Sequence, residues 1–157
     1  MSVHITRKST VPDDHLASVS HPLIRQIYAN RGISSPQKLD RRVSALAHYN
    51  SLKGIDAAVL VLSRALAQQQ NIVIIGDFDA DGATSTALTI LCLTRMGAKN
   101  INYLVPNRFD FGYGLSPEIV EVAKQQGAEL IITVDNGISC FAGVERAKYL
   151  GMDVVIT

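Results

Sequence analysis

The chain has 157 residues, a formal net charge of +1 and an apolar fraction of 47%, which is typical of one globular domain or part of a larger one. Its two cysteines exclude a disulfide framework, and its first residues lack the apolar core of a secretory signal. No apolar run in the sequence is long enough to cross a bilayer. The sequence therefore predicts a cytoplasmic protein.

The small net charge hides an uneven distribution. Residues 1–70 carry nine Lys/Arg against four Asp/Glu, whereas residues 71–157 carry six against ten. The basic part could face a polyanion such as a nucleic acid, although charges scattered over a solvated surface would give the same count. The negative charges of the carboxylates in the acidic part repel one another, and bound cations would neutralise them.

The N-terminal part predicts little regular structure. Residues 1–20 are polar and aperiodic and predict an extended lead-in. A helical pattern runs from His21 to Asn30, and Ser35-Pro36 favours a second short helix toward Arg42. We expect an N-terminal extension with a helical segment over residues 1–52, and a separate domain over residues 53–157.

Helical and strand patterns alternate from Gly54 onward. A helix with one apolar face precedes Ile72–Ile75, a β-branched run typical of a strand buried on both faces of a parallel sheet. The segment Gly82–Met96 is apolar on nearly every side and predicts a buried helix with Cys92 in the core. The other predicted elements are strands at 101–105, 130–134 and 154–157, and helices at 116–126 and about 139–150.

This alternation predicts right-handed βαβ crossovers and therefore a doubly wound parallel α/β sheet. The last predicted strand begins at Val154, and the sequence stops at Thr157. Such sheets build their sites at the carboxyl ends of the strands, and a domain rarely ends at that edge of an inner strand without using it. We therefore expect a domain that is truncated before it is complete.

An acidic motif, Asp77-Phe78-Asp79-Ala80-Asp81-Gly82, follows the first predicted strand. Three neighbouring carboxylates repel one another unless they are protonated or bound to cations, and oxygen ligands suit Mn²⁺ or Mg²⁺. A turn with an Asp N-cap would explain one of these acids but not three at alternate positions. We predict that Asp77, Asp79 and Asp81 are catalytic.

Two other motifs share part of this pattern. An EF-hand needs a bidentate acid at its twelfth position, which here is Leu88, and a helix rather than a strand before it; this excludes it. A haloacid-dehalogenase-type phosphatase carries Asp-x-Asp-Gly after its first strand, and Asp79-Ala80-Asp81-Gly82 fits that spacing. Local spacing leaves the second alternative open.

Two further segments follow strands of the same predicted sheet. Asp135, in Val134-Asp135-Asn136-Gly137, ends its strand at the same edge and should converge with the acidic motif; we predict that it is catalytic as well. A cap of the Asn-Gly turn is the alternative role. In the loop after the second strand, Arg108 could hold a phosphate, and the aromatic residues could stack on bases or simply pack the loop. Those aromatic residues are Phe109, Phe111 and Tyr113.

The three motifs together resemble the DHH phosphoesterase family, and within it the single-strand-specific 5′→3′ exonucleases. The matching segments are Gly76–Gly82, Tyr103–Arg108 with Gly112–Pro117, and Val134–Ser139, and the resemblance extends from about Leu23 to Thr157. The Asp-His-His motif of that family would follow Thr157.

The resemblance implies hydrolysis of single-stranded DNA to 5′-mononucleotides in repair or recombination, with single-strand-binding protein and a helicase as partners. It also implies a two-metal site for Mn²⁺ or Mg²⁺ that residues absent from this chain would complete. The fragment alone is expected to be inactive. A substrate of cyclic dinucleotides or short oligonucleotides, or a non-catalytic nucleic-acid-binding module, would be the alternative. The implied metal ligands are Asp79, Asp81 and Asp135, with Asp77 as ligand or support, and the implied substrate contacts are Arg108, Tyr113 and Asn136.

Overall fold

A computed structural model describes residue 6 and residues 9–157, with the backbone alone at Arg108. It divides into two compact units, one ending at Ser51 and the other beginning at Leu52. None of the helices in these described ranges combines the length and the apolarity needed to span a membrane.

The N-terminal unit contains one α-helix, α1 (Pro22–Asn30), and several single 3₁₀ turns within its described residues. The side chain of Gln26 in α1 donates to the carbonyl of Val11 over 3.0 Å, so part of the predicted lead-in is held by hydrogen bonding; residues 1–5, 7 and 8 of that prediction lie outside the described residues. The short helix predicted from Ser35-Pro36 begins at that position, but it is a 3₁₀ helix that ends at Leu39 and does not continue to Arg42.

The second unit is a four-stranded parallel sheet flanked by helices, in the strand order β2-β1-β3-β4. The predicted α/β class with a parallel sheet is thereby confirmed. Its elements, in chain order, are α2 (Ile55–Gln68), β1 (Ile72–Ile75), α3 (Ala80–Arg95), β2 (Ile101–Leu104), α4 (Arg108–Phe111), α5 (Pro117–Gln125), β3 (Leu130–Thr133), α6 (Phe141–Tyr149) and β4 (Asp153–Ile156).

Alternate residues of the central strands enter two different cores because side chains along a strand point to opposite faces. Val73 and Ile75 pack with residues of α5 and α6, whereas Ile72 and Ile74 pack with residues of α2 and α3. All four β1 residues are buried, and each such side chain contributes about 1.5–3 kcal/mol of hydrophobic stabilisation. The continuous apolar run of β1 is therefore explained by helices on both faces.

The predicted burial of α3 is wrong. Of its sixteen residues only Gly82, Thr86 and Leu93 are buried. Leu88 is 63% exposed, and Cys92, predicted to lie in the core, is exposed. Only one side of a helix can pack against a sheet. Because α3 is apolar on nearly every side, its sequence does not indicate which residues face the sheet.

The direction in which successive strands are added to the sheet changes between β1 and β3. From β1 the chain moves to β2 on one side, and it then crosses to β3 on the other side of β1. Ligands of open α/β sheets bind in the crevice that such a reversal opens at the carboxyl ends of the strands. The segments that follow β1, β2 and β3 all lie at this carboxyl edge.

Candidate metal centre

The strand register brings two predicted acids to the same level of the sheet. Ile75 of β1 pairs with Thr133 of β3, and each is followed two residues later by an aspartate, Asp77 and Asp135. Carboxylate oxygens of Asp77, Asp79 and Asp135 lie within 4.8 Å of one another. The structure therefore brings together three of the four acids that the sequence singles out.

Asp77 lies directly after the buried strand and is itself buried, at 7% exposure. One of its carboxylate oxygens accepts from the amide of Phe78 over 2.8 Å. Gly82 packs against the Asp77 backbone so closely that a methyl group at Gly82 would overlap three Asp77 backbone atoms. The first turn of α3 can approach Asp77 because residue 82 has no side chain.

Asp79 is the N-cap of α3, with an extended backbone. Its Oδ1 accepts from the amide of Gly82 over 2.9 Å, which satisfies one of the free donors at the start of a helix. A cap of this kind uses one carboxylate oxygen, so the same side chain can also face a cation. The cap and the metal ligand, which the sequence presents as alternatives, are compatible at this residue.

Asp81 lies at the margin of the cluster. It is exposed and belongs to the first turn of α3, where a negative charge is favoured by the helix dipole. Its carboxylate is not one of the three that converge among the described residues.

Asp135 has a left-handed backbone conformation, with φ of 60°. An L-residue in this region costs about 1–2 kcal/mol, although Asp tolerates it better than most. The hydroxyl of Tyr113 donates to the Asp135 carbonyl over 3.1 Å. The strained residue is thus contacted from the loop that follows β2.

Asn136, the next residue, is a buried connection between strands. Its amide nitrogen donates to the carbonyls of Ile75 and Val134, over 3.0 and 2.9 Å, and its own carbonyl accepts from the Thr133 hydroxyl over 2.9 Å. The bond to Ile75 joins the end of β1 to the segment that carries Asp135, and the other two bonds hold that segment itself. The sequence did not predict these contacts.

The electrostatics of the cluster favour a bound cation. Desolvation and the negative charges of Asp79, Asp81 and Asp77 raise the pKa of the Asp135 carboxyl, and a hydrogen bond with Asp79 adds to this. A divalent cation would relieve the repulsion that opposes ionisation of Asp135. Because all the converging donors are carboxylate oxygens, they fit a hard cation such as Mn²⁺ or Mg²⁺.

We expect Asp135→Asn to make the metal-free chain slightly more stable at neutral pH, because Asp135 is exposed and solvent screens the repulsion in part. The variant removes a repelled negative charge, while asparagine still tolerates the left-handed backbone. Since the folded-state pKa of Asp135 is raised, the contribution of this carboxyl to the stability of the parent is fully present below the ordinary Asp pKa of about 3.9 and is lost as pH rises through the raised value.

Thermal unfolding of both chains as a function of pH, with and without Mn²⁺, checks this expectation. The advantage of the variant should appear only above that pH range, and Mn²⁺ should stabilise the parent alone. A variant that is less stable than the parent at neutral pH without metal would contradict the idea that Asp135 is held against repulsion.

The predicted substrate loop lies between β2 and α5. The backbone of Arg108 begins α4, and its side chain lies outside the described residues. Phe111 packs against the apolar core, whereas Phe109 is 98% and Tyr113 57% exposed. Of the three aromatic residues singled out in the sequence, Phe111 is thus part of the core packing, and the other two are exposed.

Gly114 was not among the residues predicted for the site, although it lies close to it. It has φ of 75°, and an added Cβ would lie 2.9 Å from the Cys140 sulfur and 3.6 Å from Oδ1 of Asn136. The loop after β2 therefore packs closely on the segment after β3 at this position. The glycines on both sides of Tyr113 were the signal that could have indicated such a tight turn.

Comparisons with known proteins agree with this geometry. The family model described as the DHH family, N-terminal domain, matches residues 71–157. The single-stranded-DNA-specific exonuclease RecJ of Escherichia coli (strain K12) is 48% identical over 155 residues, which cover 99% of this chain and 27% of the relative. RecJ of Dickeya dadantii (strain 3937) is 54% identical over 152 residues, covering 97% of this chain and 26% of the relative.

Among solved structures, a crystal structure of exonuclease RecJ bound to manganese superposes with a TM-score of 0.60 and 36% identity, covering 68% of this chain and 27% of that one. The chain thus spans about a quarter of the length of these proteins. The family match covers more than half of the chain and decides against the haloacid-dehalogenase-type alternative. Together with the convergence of Asp77, Asp79 and Asp135 at the carboxyl edge, it shows that the chain belongs to the DHH family.

Proposed function

We propose that this chain supplies one side of a Mn²⁺- or Mg²⁺-dependent centre that hydrolyses phosphodiester bonds of single-stranded DNA, releasing 5′-mononucleotides in the 5′→3′ direction. The observation that carries the proposal is the convergence of Asp77, Asp79 and Asp135 oxygens within 4.8 Å. It is supported by relatives described as single-stranded-DNA-specific exonucleases and by a structural neighbour that is bound to manganese.

Within the proposed centre the acids have different roles. Asp79 and Asp135 hold the cation, and the buried Asp77 binds it or orients the other two ligands. Asp81, at the margin, adds negative charge from the first turn of α3 and is the fourth acid proposed as a ligand. When bound, the cation polarises the phosphate ester and lowers the pKa of the attacking water.

The proposed substrate contacts differ in their structural support. Tyr113, an exposed residue of this loop, is proposed to stack on a base, and Arg108 begins the neighbouring helix α4, from which a guanidinium could bind a phosphate. Asn136 is only 8% exposed, and its amide binds the carbonyls of Ile75 and Val134. We therefore propose that Asn136 supports the substrate site indirectly.

A nuclease assay on the protein, in a form that spans the length of its relatives, tests the proposal. A 5′-labelled single strand should be degraded to 5′-mononucleotides when Mn²⁺ is present and not when it is chelated, while a blunt duplex should resist. Asp135→Ala should reduce the rate by at least about 100-fold, as expected for loss of a group needed to stabilise the transition state.

Other results would replace the proposal. Turnover confined to cyclic dinucleotides or very short oligonucleotides would change the substrate class. Salt-dependent binding of single strands that survives Asp79→Ala, without hydrolysis, would indicate a non-catalytic binding module.

The cellular setting is part of the same proposal. We propose that the protein acts on single-stranded DNA in the cytoplasm, and that it does so in DNA repair or recombination. Single-strand-binding protein and a helicase remain partners suggested by the family resemblance.

A further inference from the structure

The hydroxyl of Tyr113 donates a hydrogen bond to the carbonyl of Asp135 over 3.1 Å, and Asp135 carries one of the three converging carboxylates. We propose that Tyr113 is a positioning residue, whose hydroxyl holds Asp135 in the backbone conformation that directs its carboxylate toward the cation. This inference rests on the proposed function, because it requires a cation at the cluster.

Asp135 needs to be held for two reasons. Its φ of 60° lies in the left-handed region that L-residues disfavour. A change to an ordinary conformation would rotate the bond from Cα to Cβ and move the carboxylate away from Asp77 and Asp79. Repulsion from these two acids pushes in the same direction, so the observed placement requires a restraint.

Three consecutive peptide groups around Asp135 are restrained by side chains. The carbonyl of Val134 accepts from Asn136 Nδ2, that of Asp135 accepts from Tyr113, and that of Asn136 accepts from the Thr133 hydroxyl. Asn136 and Thr133 are buried and belong to the same segment as Asp135. Tyr113 acts from a different loop, so its bond also joins the substrate loop to the metal ligand.

The conformation of that loop explains how the hydroxyl reaches Asp135. Gly112 and Gly114 flank Tyr113 with φ of 74° and 75°, values that reverse the chain tightly on both sides of it. Gly114 packs against Cys140 and Asn136 with no room for a side chain. The turn around Tyr113 therefore packs against the segment that contains Asp135, while Tyr113 itself is 57% exposed.

A double-mutant cycle in the protein, in the form that spans the length of its relatives, tests the inference with a readout that does not depend on activity. The Mn²⁺ affinity of the parent, Tyr113→Phe, Asp135→Ala and the double variant is measured by electron paramagnetic resonance of the free ion. Phenylalanine keeps the ring and removes only the hydroxyl. The matched control is Tyr149→Phe, at a residue in α6 that is 80% exposed and whose ring lies beside Arg146.

We expect Tyr113→Phe to weaken Mn²⁺ binding about 10-fold or more, in the range found when a partner that orients a metal ligand is removed. Tyr149→Phe should leave the affinity unchanged. Because Tyr113 acts through Asp135, the double variant should bind Mn²⁺ as weakly as Asp135→Ala and no more weakly. Circular dichroism of each metal-free variant confirms that the fold is retained.

The outcomes separate this inference from the proposed function. Weaker binding in Asp135→Ala with parental affinity in Tyr113→Phe would overturn the positioning role and leave the metal centre standing. Additive losses in the double variant would also overturn it, since Tyr113 would then act by a route other than Asp135. Parental affinity in Asp135→Ala would overturn the metal centre and the positioning role together.

Discussion

Replacing Asp79 with alanine should abolish Mn²⁺ binding and also lower the free energy of unfolding of the metal-free chain by about 1 kcal/mol. The first effect follows from the loss of one of the three converging carboxylates. The second follows because the amide of Gly82 loses the acceptor that caps α3. Titration with Mn²⁺ measures one effect, and urea denaturation without metal measures the other.

Two matched variants separate the roles of Asp79. Asparagine is an equally good N-cap, so Asp79→Asn should keep the metal-free stability and still lose Mn²⁺. Ser116→Ala removes the cap of α5, where the Ser116 oxygen accepts from the amide of Ile119 over 3.4 Å, and should cost about 1 kcal/mol with Mn²⁺ binding unchanged. Parental Mn²⁺ affinity in Asp79→Ala would show that this residue is a helix cap alone.

Gly82→Ala should destabilise the chain by about 3 kcal/mol, at the upper end of the range for overpacked sites. The added methyl group would overlap backbone atoms of Asp77, and no rotamer change can relieve a collision with the main chain. Accommodating it requires the first turn of α3 to move away from Asp77. We therefore expect weaker Mn²⁺ binding as well as a lower urea midpoint.

Gly151→Ala is the control for this substitution. Gly151 has φ of 75° and nothing within 4 Å of an added Cβ, so alanine there meets backbone strain of about 1–2 kcal/mol without a collision. Its Mn²⁺ affinity should match that of the parent. Equal stability losses in both variants, with Mn²⁺ binding intact, would show that the metal cluster does not depend on the close approach at Gly82.

The candidate centre combines three features at one edge of the sheet. Strand register sets Asp77 beside Asp135, a helix cap directs Asp79, and a hydrogen bond from Tyr113 reaches Asp135. The cap is lost on substitution of Asp79 and the hydrogen bond on substitution of Tyr113, and neither change deletes the carboxylates of Asp77 and Asp135.

Several features could be predicted from local sequence because their causes are local. The β-branched run Ile72–Ile75 predicts a buried strand, and the structure has β1 over those residues. Ser116-Pro117-Glu118 predicts a helix start, and Ser116 caps α5 at that position. The expected convergence of Asp135 with the acidic motif follows from parallel strands, whose carboxyl ends share one edge, and the sheet is parallel in all its pairings.

The sequence by itself determined the alternation of elements, the class of the sheet and the segments that reach its carboxyl edge. Only the tertiary structure decided that Asp77, Asp79 and Asp135 converge while Asp81 lies at the margin, that one side of α3 is exposed, and that the Tyr113 hydroxyl reaches Asp135. Periodicity and turn chemistry act over a few residues and are visible in the sequence. Helix rotation, strand register and the seating of one loop on another depend on contacts between residues far apart in the chain, which local patterns do not specify.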